Sequence, residues 1–335
     1  GGNLMDNKGR EKFWNVLKDL HNNDEASMNM LTEASKRPET LCRFRPVSEH
    51  SLQQLQENKL FFSSSDHYDD PFDTYFYTDI DQMVPVYEEM RKDLLEGNTA
   101  FADKLRQIAK LTGQTPEIFI SMLSNGALDF AQLKGQLMTV RNSIQRRLFS
   151  ICFCEDPYNE TLWLKYAGNY SGFVQIYNLN SIDTFLCGTG KECQNCISAK
   201  ERPYIYPVYY SDIRYDATKY ALGIWLMEKI EKQNNMALAP LHEYVKSSLI
   251  WEIERICLIK RKCHEYDQEW RMIRPAMFEQ RSCVKMKPCK IIGGLRTPQY
   301  ERRLIVSAAT IAGIQEIHEL YINDSDKLDS RPINV

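Results

Sequence analysis

Phe149-Ser-Ile-Cys-Phe-Cys154, the turn Glu155-Asp-Pro-Tyr-Asn159, Thr161-Leu-Trp-Leu-Lys-Tyr-Ala167 and Gly172-Phe-Val-Gln-Ile-Tyr177 form the stretch that decides the fold. The two outer segments are short, apolar and bounded by turn formers, and between them the apolar spacing changes to a helical period. That reads as strand, helix, strand. The same order occurs earlier in the chain. Leu41-Cys-Arg-Phe-Arg-Pro46 predicts a strand, Ser48 an N-cap for a helix over Leu52 to Glu57, and Leu60-Phe-Phe-Ser63 a second strand.

Outward from these units, Phe13, Val16, Leu17 and Leu20 fall at helical spacing within residues 10 to 38, and Asp66-His-Tyr-Asp-Asp-Pro-Phe-Asp73 is a loop rich in acid and turn formers. Residues 80 to 148 read as helices broken at Gly97, Gly113 and Gly126. Ile205 to Tyr210 reads as a strand and Ala217 to Trp251 as mostly helical. Strands are expected again at Glu269 to Ile273, Lys290 to Gly293 and Leu320 to Ile322, with a helix near Ser307 to Gly313. The expected fold is α+β: an N-terminal helical extension over 1–40, a discontinuous core over 41–79 and 149–335, and a helical insertion over 80–148.

Composition narrows the functional classes. The chain has 335 residues, 43% of them apolar, with 42 Lys plus Arg against 45 Asp plus Glu and a formal charge of -3. Such a balance argues against a nucleic-acid binder that relies on a global positive field. No apolar run reaches the roughly 20 residues of a membrane span, and the opening residues lack signal-peptide architecture. Ten cysteines at this length fit reduced thiols, so a cytoplasmic protein is expected. No Gly-x-Gly-x-x-Gly, Walker A or Gly-x-Ser-x-Gly sequence occurs.

Four constellations could carry chemistry. In Lys262-Cys-His-Glu-Tyr-Asp-Gln-Glu-Trp-Arg-Met-Ile273, strand alternation puts Asp267, Glu269 and Arg271 on one face; the bland alternative is a solvated ion pair. Arg43 and Arg45 share a face of the first strand, and paired guanidinium donors suit phosphate or carboxylate. Asp69, Asp70 and Asp73 could offer oxygen ligands to magnesium, although the loop lacks EF-hand spacing. Cys187, Cys193 and Cys196 could bind zinc if a fourth ligand such as His264, next to Cys263, joined them. Trp163, Tyr166 and Phe173 are spaced like core.

The blocks Leu41-Cys-Arg-Phe-Arg-Pro46, Leu60-Phe-Phe-Ser-Ser with Asp70-Pro-Phe-Asp73, Cys152-Phe-Cys with Trp163-Leu-Lys-Tyr-Ala167 and Gly172-Phe-Val-Gln-Ile, and Glu269-Trp-Arg271 resemble, in order, the bacterial domain-of-unknown-function 2971 family. More distantly, an Arg on the first strand, a strand followed by a helix ending in Tyr-Ala, and a late acid-x-Glu resemble ADP-ribosyltransferases of the Arg-Ser-Glu type. That second resemblance implies split antiparallel sheets around a cleft holding NAD, with ADP-ribose passed to a protein or nucleic-acid acceptor in a toxin or phage-defence setting. It assigns Glu269 to the nicotinamide ribose, where a carboxylate stabilises an oxocarbenium-like sugar. Arg43 would hold phosphate with Arg45 in reserve, and Asp267 would orient the acceptor. Ser150, Cys154, Trp163 and Tyr166 would line the cofactor; Cys154 stands where those enzymes have the Ser, and Asp267 is shorter than their usual Glu.

The transferase expectation therefore requires Arg43, the 150–154 strand, Tyr166 and Glu269 to converge on one open cleft. Its rivals are a non-catalytic nucleotide- or protein-binding module and a metal-dependent hydrolase or nuclease built on Asp69, Asp70 and Asp73.

Overall fold

The computed structural model describes residues 4–21, 24–74, 77–79, 81–86, 88, 106–107, 109–111, 113, 130–180, 184–186, 205–225, 251–275 and 282–333. Helices α1 (Asn7–Asp19) and α2 (Glu25–Ser35) lead into β1 (Thr40–Arg45), α3 (Glu49–Gln56), β2 (Lys59–Phe61) and β3 (Ser63–Ser64). After α4 (Phe130–Arg147) come β4 (Leu148–Cys154), α5 (Glu160–Tyr166), β5 (Phe173–Asn178), β6 (Thr184–Leu186), β7 (Ile205–Pro207) and β8 (Tyr209–Tyr210). The chain ends with α6 (Glu252–Cys257), β9 (Ile259–Lys260), β10 (Glu269–Pro275), β11 (Cys283–Lys285), β12 (Lys290–Gly293), α7 (Gln299–Ile311), β13 (Glu316–Ile322) and β14 (Leu328–Pro332).

Both expected strand, helix, strand units are present, and each helix has the cap its sequence offers. Ser48 accepts from Ser51 N–H and Ser51 returns a bond to Ser48 N–H, while Asn159 accepts from Leu162 N–H to start α5. The fold is α+β, built on a sheet of nine strands in the order β14-β13-β12-β5-β1-β4-β10-β7, with β3 also paired to β4. It is mixed, because β12 and β13 run parallel while β1, β4, β5 and β10 pair antiparallel. A three-stranded sheet β2-β11-β6 and the parallel pair β8-β9 complete the strands.

The sheet joins distant sequence. C-terminal β12 pairs with β5, and the N-terminal β1 sits between β5 and β4. Helix α1 packs rather than projects: Phe13 and Leu17 are fully buried in one apolar cluster with Tyr206, Tyr210 and Ile256. Arg10 of α1 is also buried and donates to the carbonyls of Val208 (2.9 Å) and Glu269 (2.7 Å) and to Glu155 Oε1 (2.6 Å). No helix among the described residues is long and apolar enough to cross a membrane. Most of the expected 80–148 insertion, and the helical stretch after residue 225, lie outside the described residues.

Candidate functional site

Strand register decides which candidate residues can meet. Glu269 lies opposite Cys154, Arg271 opposite Cys152 and Ile273 opposite Ser150, while Cys42 also lies opposite Cys154. Paired residues share a face and successive residues alternate, so Glu269, Arg271, Ser150, Cys152 and Cys154 occupy one face of the sheet. Arg43 and Arg45 occupy the other, where the Arg43 guanidinium lies 6.0 Å from the Phe153 ring centroid. The expected convergence of Arg43 with Glu269 on one cleft does not occur. The alternation that placed two arginines together also turned them away from the acids.

On its own face Glu269 is buried and fully engaged. Oε1 accepts from Arg271 Nε at 2.6 Å and Oε2 from Lys260 Nζ at 3.1 Å. Its backbone N–H donates to the Tyr210 hydroxyl, and its carbonyl accepts from Val208 N–H and Arg10. Arg271, fully buried, also donates through Nη2 to Asp73 Oδ2 at 2.6 Å and through Nη1 to the Cys257 carbonyl at 2.8 Å. Lys260 Nζ is shared by Asp267 Oδ2 (2.8 Å), Glu269 and Asp73 Oδ2 (3.3 Å). Two cations thus sit among three carboxylates drawn from loop 65–73, β9, the turn before β10, and β10 itself.

Asp267 is not on the strand. It closes a 3-10 turn, Lys262–Asp267, after which Gln268 takes a left-handed φ of 44° and the chain enters β10. The acids meet because both reach Lys260. Asp267 Oδ1 and Asp73 Oδ1 are buried and have no hydrogen-bond partner among the described residues. His264 lies over this edge, its Nε2 3.1 Å from Asp70 Oδ2 without hydrogen-bond alignment and its Nδ1 3.9 Å from Asp267 Oδ2. Tyr166, 40% exposed at the end of α5, is near enough for Asp267, Lys260 and Glu269 to act on its hydroxyl.

Electrostatics separate the two acids. Burial opposes the charge on Glu269, but Arg271 and Lys260 outweigh it and hold that carboxyl well below its ordinary range. Burial dominates at Asp267, and with Glu269 alongside it raises the carboxyl despite Lys260. Burial followed by Asp267 raises Tyr166. Lys260 is disfavoured by burial yet kept protonated by Glu269 and Asp73. Burial, then Glu269, pushes the Cys152 thiol up to about 12, so it is no nucleophile at neutral pH.

The remaining expected site residues divide. Ser150 shares the polar face and bonds the Tyr68 hydroxyl, with the Tyr68 ring 5.4 Å from the Arg271 guanidinium. Cys154 is committed elsewhere: its sulfur accepts from Asp156 N–H at 3.4 Å in an apolar cluster with Cys42. Trp163 is fully buried core, edge-on to Phe44 at 5.5 Å, and donates through Nε1 to the Pro157 carbonyl at 2.9 Å. Neither lines a ligand space. The acidic loop does not gather as a metal cage, because Asp73 turns inward to Arg271 and Lys260 while Asp70 Oδ1 accepts from Phe72 N–H. No group of three or more His, Cys, Asp or Glu side chains among the described residues is disposed to hold a metal. Cys187, Cys193 and Cys196 lie outside the described residues; Cys263 is an exposed free thiol.

Sequence reasoning missed Lys260 and the inward turn of Asp73. The available signal was a lysine closing the apolar run Ile256-Cys-Leu-Ile-Lys260, where a cation is buried only with partners. Beside Lys260 a shallow, solvent-open groove is lined by Phe72, Ser211, Arg214, Tyr215 and Arg261 among others. The guanidiniums of Arg214 and Arg261 stand 4.7 and 4.6 Å from the Phe72 ring centroid. No family model matches the chain, and neither the curated proteins nor the solved structures contain a match.

Proposed function

We propose that the chain is a nucleotide-recognising module whose ligand occupies the mouth formed by Tyr166, His264, Asp267 and the Phe72 groove. The observation that carries this reading is the pair of buried, unpartnered carboxylate oxygens on Asp73 and Asp267, beside an ammonium already committed to them. Buried acceptors without a donor favour a ligand that brings hydroxyl or amino hydrogens, as a ribose does. Arg214 and Arg261 next to Lys260 provide cationic groups for the attached phosphates, and Phe72 and Tyr166 offer aromatic surface. NAD, ADP-ribose and AMP are the ligands to test.

Each should raise the melting temperature of the wild-type chain, and Asp267→Asn and Arg261→Ala should each remove most of the rise. Absence of a shift with all three nucleotides sinks the proposal. Glu269 has a structural part in this reading. Glu269→Gln leaves Arg271 and Lys260 short of a counter-charge and should cost about 3–5 kcal/mol in chemical denaturation.

A second reading is favoured by the opposite displacement of the two carboxyls around Lys260. An Asp267 carboxyl raised by burial beside a Glu269 carboxyl held ionised by Arg271 and Lys260 resembles the division of labour used to cleave glycosidic bonds. In that reading an ADP-ribosyltransferase-like protein uses Asp267, rather than Glu269 with Arg43, to act on NAD before transfer to a macromolecular acceptor. Nicotinamide release from NAD, lost in Asp267→Asn while the fold is retained, would support it over simple binding.

A further inference from the structure

On the face of the sheet turned away from the acids, Arg43 and Arg45 stand two residues apart on β1, both half-buried. Neither has a carboxylate partner among the described residues. The Arg45 guanidinium donates to the Gln54 side-chain oxygen at 3.2 Å, and the Arg43 guanidinium lies 6.0 Å from the Phe153 ring centroid. Arg43 Nη1 is buried with no hydrogen-bond partner at all. Among the described residues the three buried arginines each meet a carboxylate: Arg10 meets Glu155, Arg255 meets Glu252, and Arg271 meets Asp73 and Glu269. The half-buried β1 pair meets none.

Two like charges held together and partly withdrawn from water are unfavourable unless something neutralises them. Burial, and then the neighbouring Arg43, lower the Arg45 guanidinium from its ordinary value to about 10. The surroundings are also of one chemical kind. Gln175 lies opposite Arg43 on β5 and is itself buried, Gln54 of α3 faces Arg45, and the buried Tyr177 is near enough for both guanidiniums to act on its hydroxyl. These groups are cationic donors, amides and a phenol. Of the acids of α3 and its turn, Glu49 is exposed and Glu57 is bound to Lys59 and Gln53. Planar guanidinium forks on one strand face are the arrangement that grips a tetrahedral oxyanion, each through two N–H bonds.

We propose that Arg43 and Arg45, with Gln54 and Gln175, form a site for a phosphate dianion, carried by inorganic phosphate or a small phosphate monoester, on the sheet face opposite the acid cluster. The site stands independently of the nucleotide pocket, since the sheet separates them. A bound dianion supplies the two negative charges that the pair lacks, so occupancy and stability are linked.

The test is thermal denaturation and calorimetric titration of the whole chain at low ionic strength with inorganic phosphate, then with AMP. Phosphate is expected to raise the melting temperature of wild-type protein. Arg43→Met and Arg45→Met should each weaken its binding by at least about tenfold, the loss typical of a charge-assisted hydrogen bond. Their ligand-free melting temperatures should equal or exceed that of the wild type, because each substitution removes a repelling charge and retains an apolar stem. Arg261→Ala should keep the phosphate response, so failure of the nucleotide pocket and failure of this site read out separately. Tighter binding of AMP than of phosphate, unchanged by Arg261→Ala, would identify a monoester ligand; equal affinity would identify inorganic phosphate. The proposal is overturned if phosphate leaves wild-type protein unchanged, if both Met variants keep the full response, or if they melt lower while binding phosphate normally.

Discussion

At the scale of single residues, burial with or without a partner decides what each acid does. Glu269 and Asp267 are two apart in sequence and share Lys260, yet one is held ionised and the other is raised toward its proton. Their adjacency was legible from the sequence. Lys260 was not, because β9 reaches the site through pairing with β8 rather than through any local pattern. Glu254 offers a clean test of the same physics. Burial lifts its carboxyl to about 7 against the weaker downward pull of Arg255, and Oε2 has no hydrogen-bond partner among the described residues. A folded-state value above the unfolded one means that the native state holds the proton more tightly, so stability falls as pH rises from about 4.5 to about 7. Glu254→Gln should therefore match wild type near pH 4 and exceed it by about 1–3 kcal/mol at pH 8, measured by urea denaturation. A gap that does not change with pH would refute this.

At the scale of elements, local chemistry and long-range packing contributed in different places. Ser48 announced its helix because an N-cap needs only the next three residues, and the structure adds Asn159 as the cap of α5. The expected strand 205–210 is instead divided into β7 and β8: Val208 N–H still follows the β10 register to the Glu269 carbonyl, and Tyr209 N–H then turns to the Leu258 carbonyl, so β8 pairs with β9. The hairpin-like return from α5 to β5 rests on Gly172. A Cβ there would sit 2.1 Å from the Arg45 carbonyl oxygen and 2.9 Å from that of Ala167, both backbone atoms that cannot rotate away. Gly172→Ala should cost roughly 1–3 kcal/mol or more and loosen the β1-β5 edge. Hydrogen exchange localised to β1 and β5, together with the denaturation midpoint, would show it; an effect within about 0.5 kcal/mol would mean that the turn yields.

At the scale of the whole molecule, α1 is part of the core although the sequence marked it as an extension. Its Phe13 and Leu17 pack with residues some two hundred positions later, and Arg10 ties it to Glu155 and to the strand that carries Glu269. Deleting residues 1–21 should expose that apolar face and strand Glu155, lowering the melting temperature sharply or abolishing cooperative unfolding. A truncated chain that melts like the full one would show that α1 only decorates the fold. The amino-acid sequence by itself determined the α+β class, the two strand, helix, strand units, and the placing of Arg43 with Arg45, and of Glu269 with Arg271, on one strand face. All are consequences of local periodicity, capping and turn chemistry, which act over a few residues. Only the tertiary structure decided that the two arginines and the two acids lie on opposite faces of one sheet, and that Lys260 and Asp73 complete the acid cluster. Register between strands more than a hundred residues apart is set by burial across the assembled sheet, and a one-residue shift in it exchanges one face for the other.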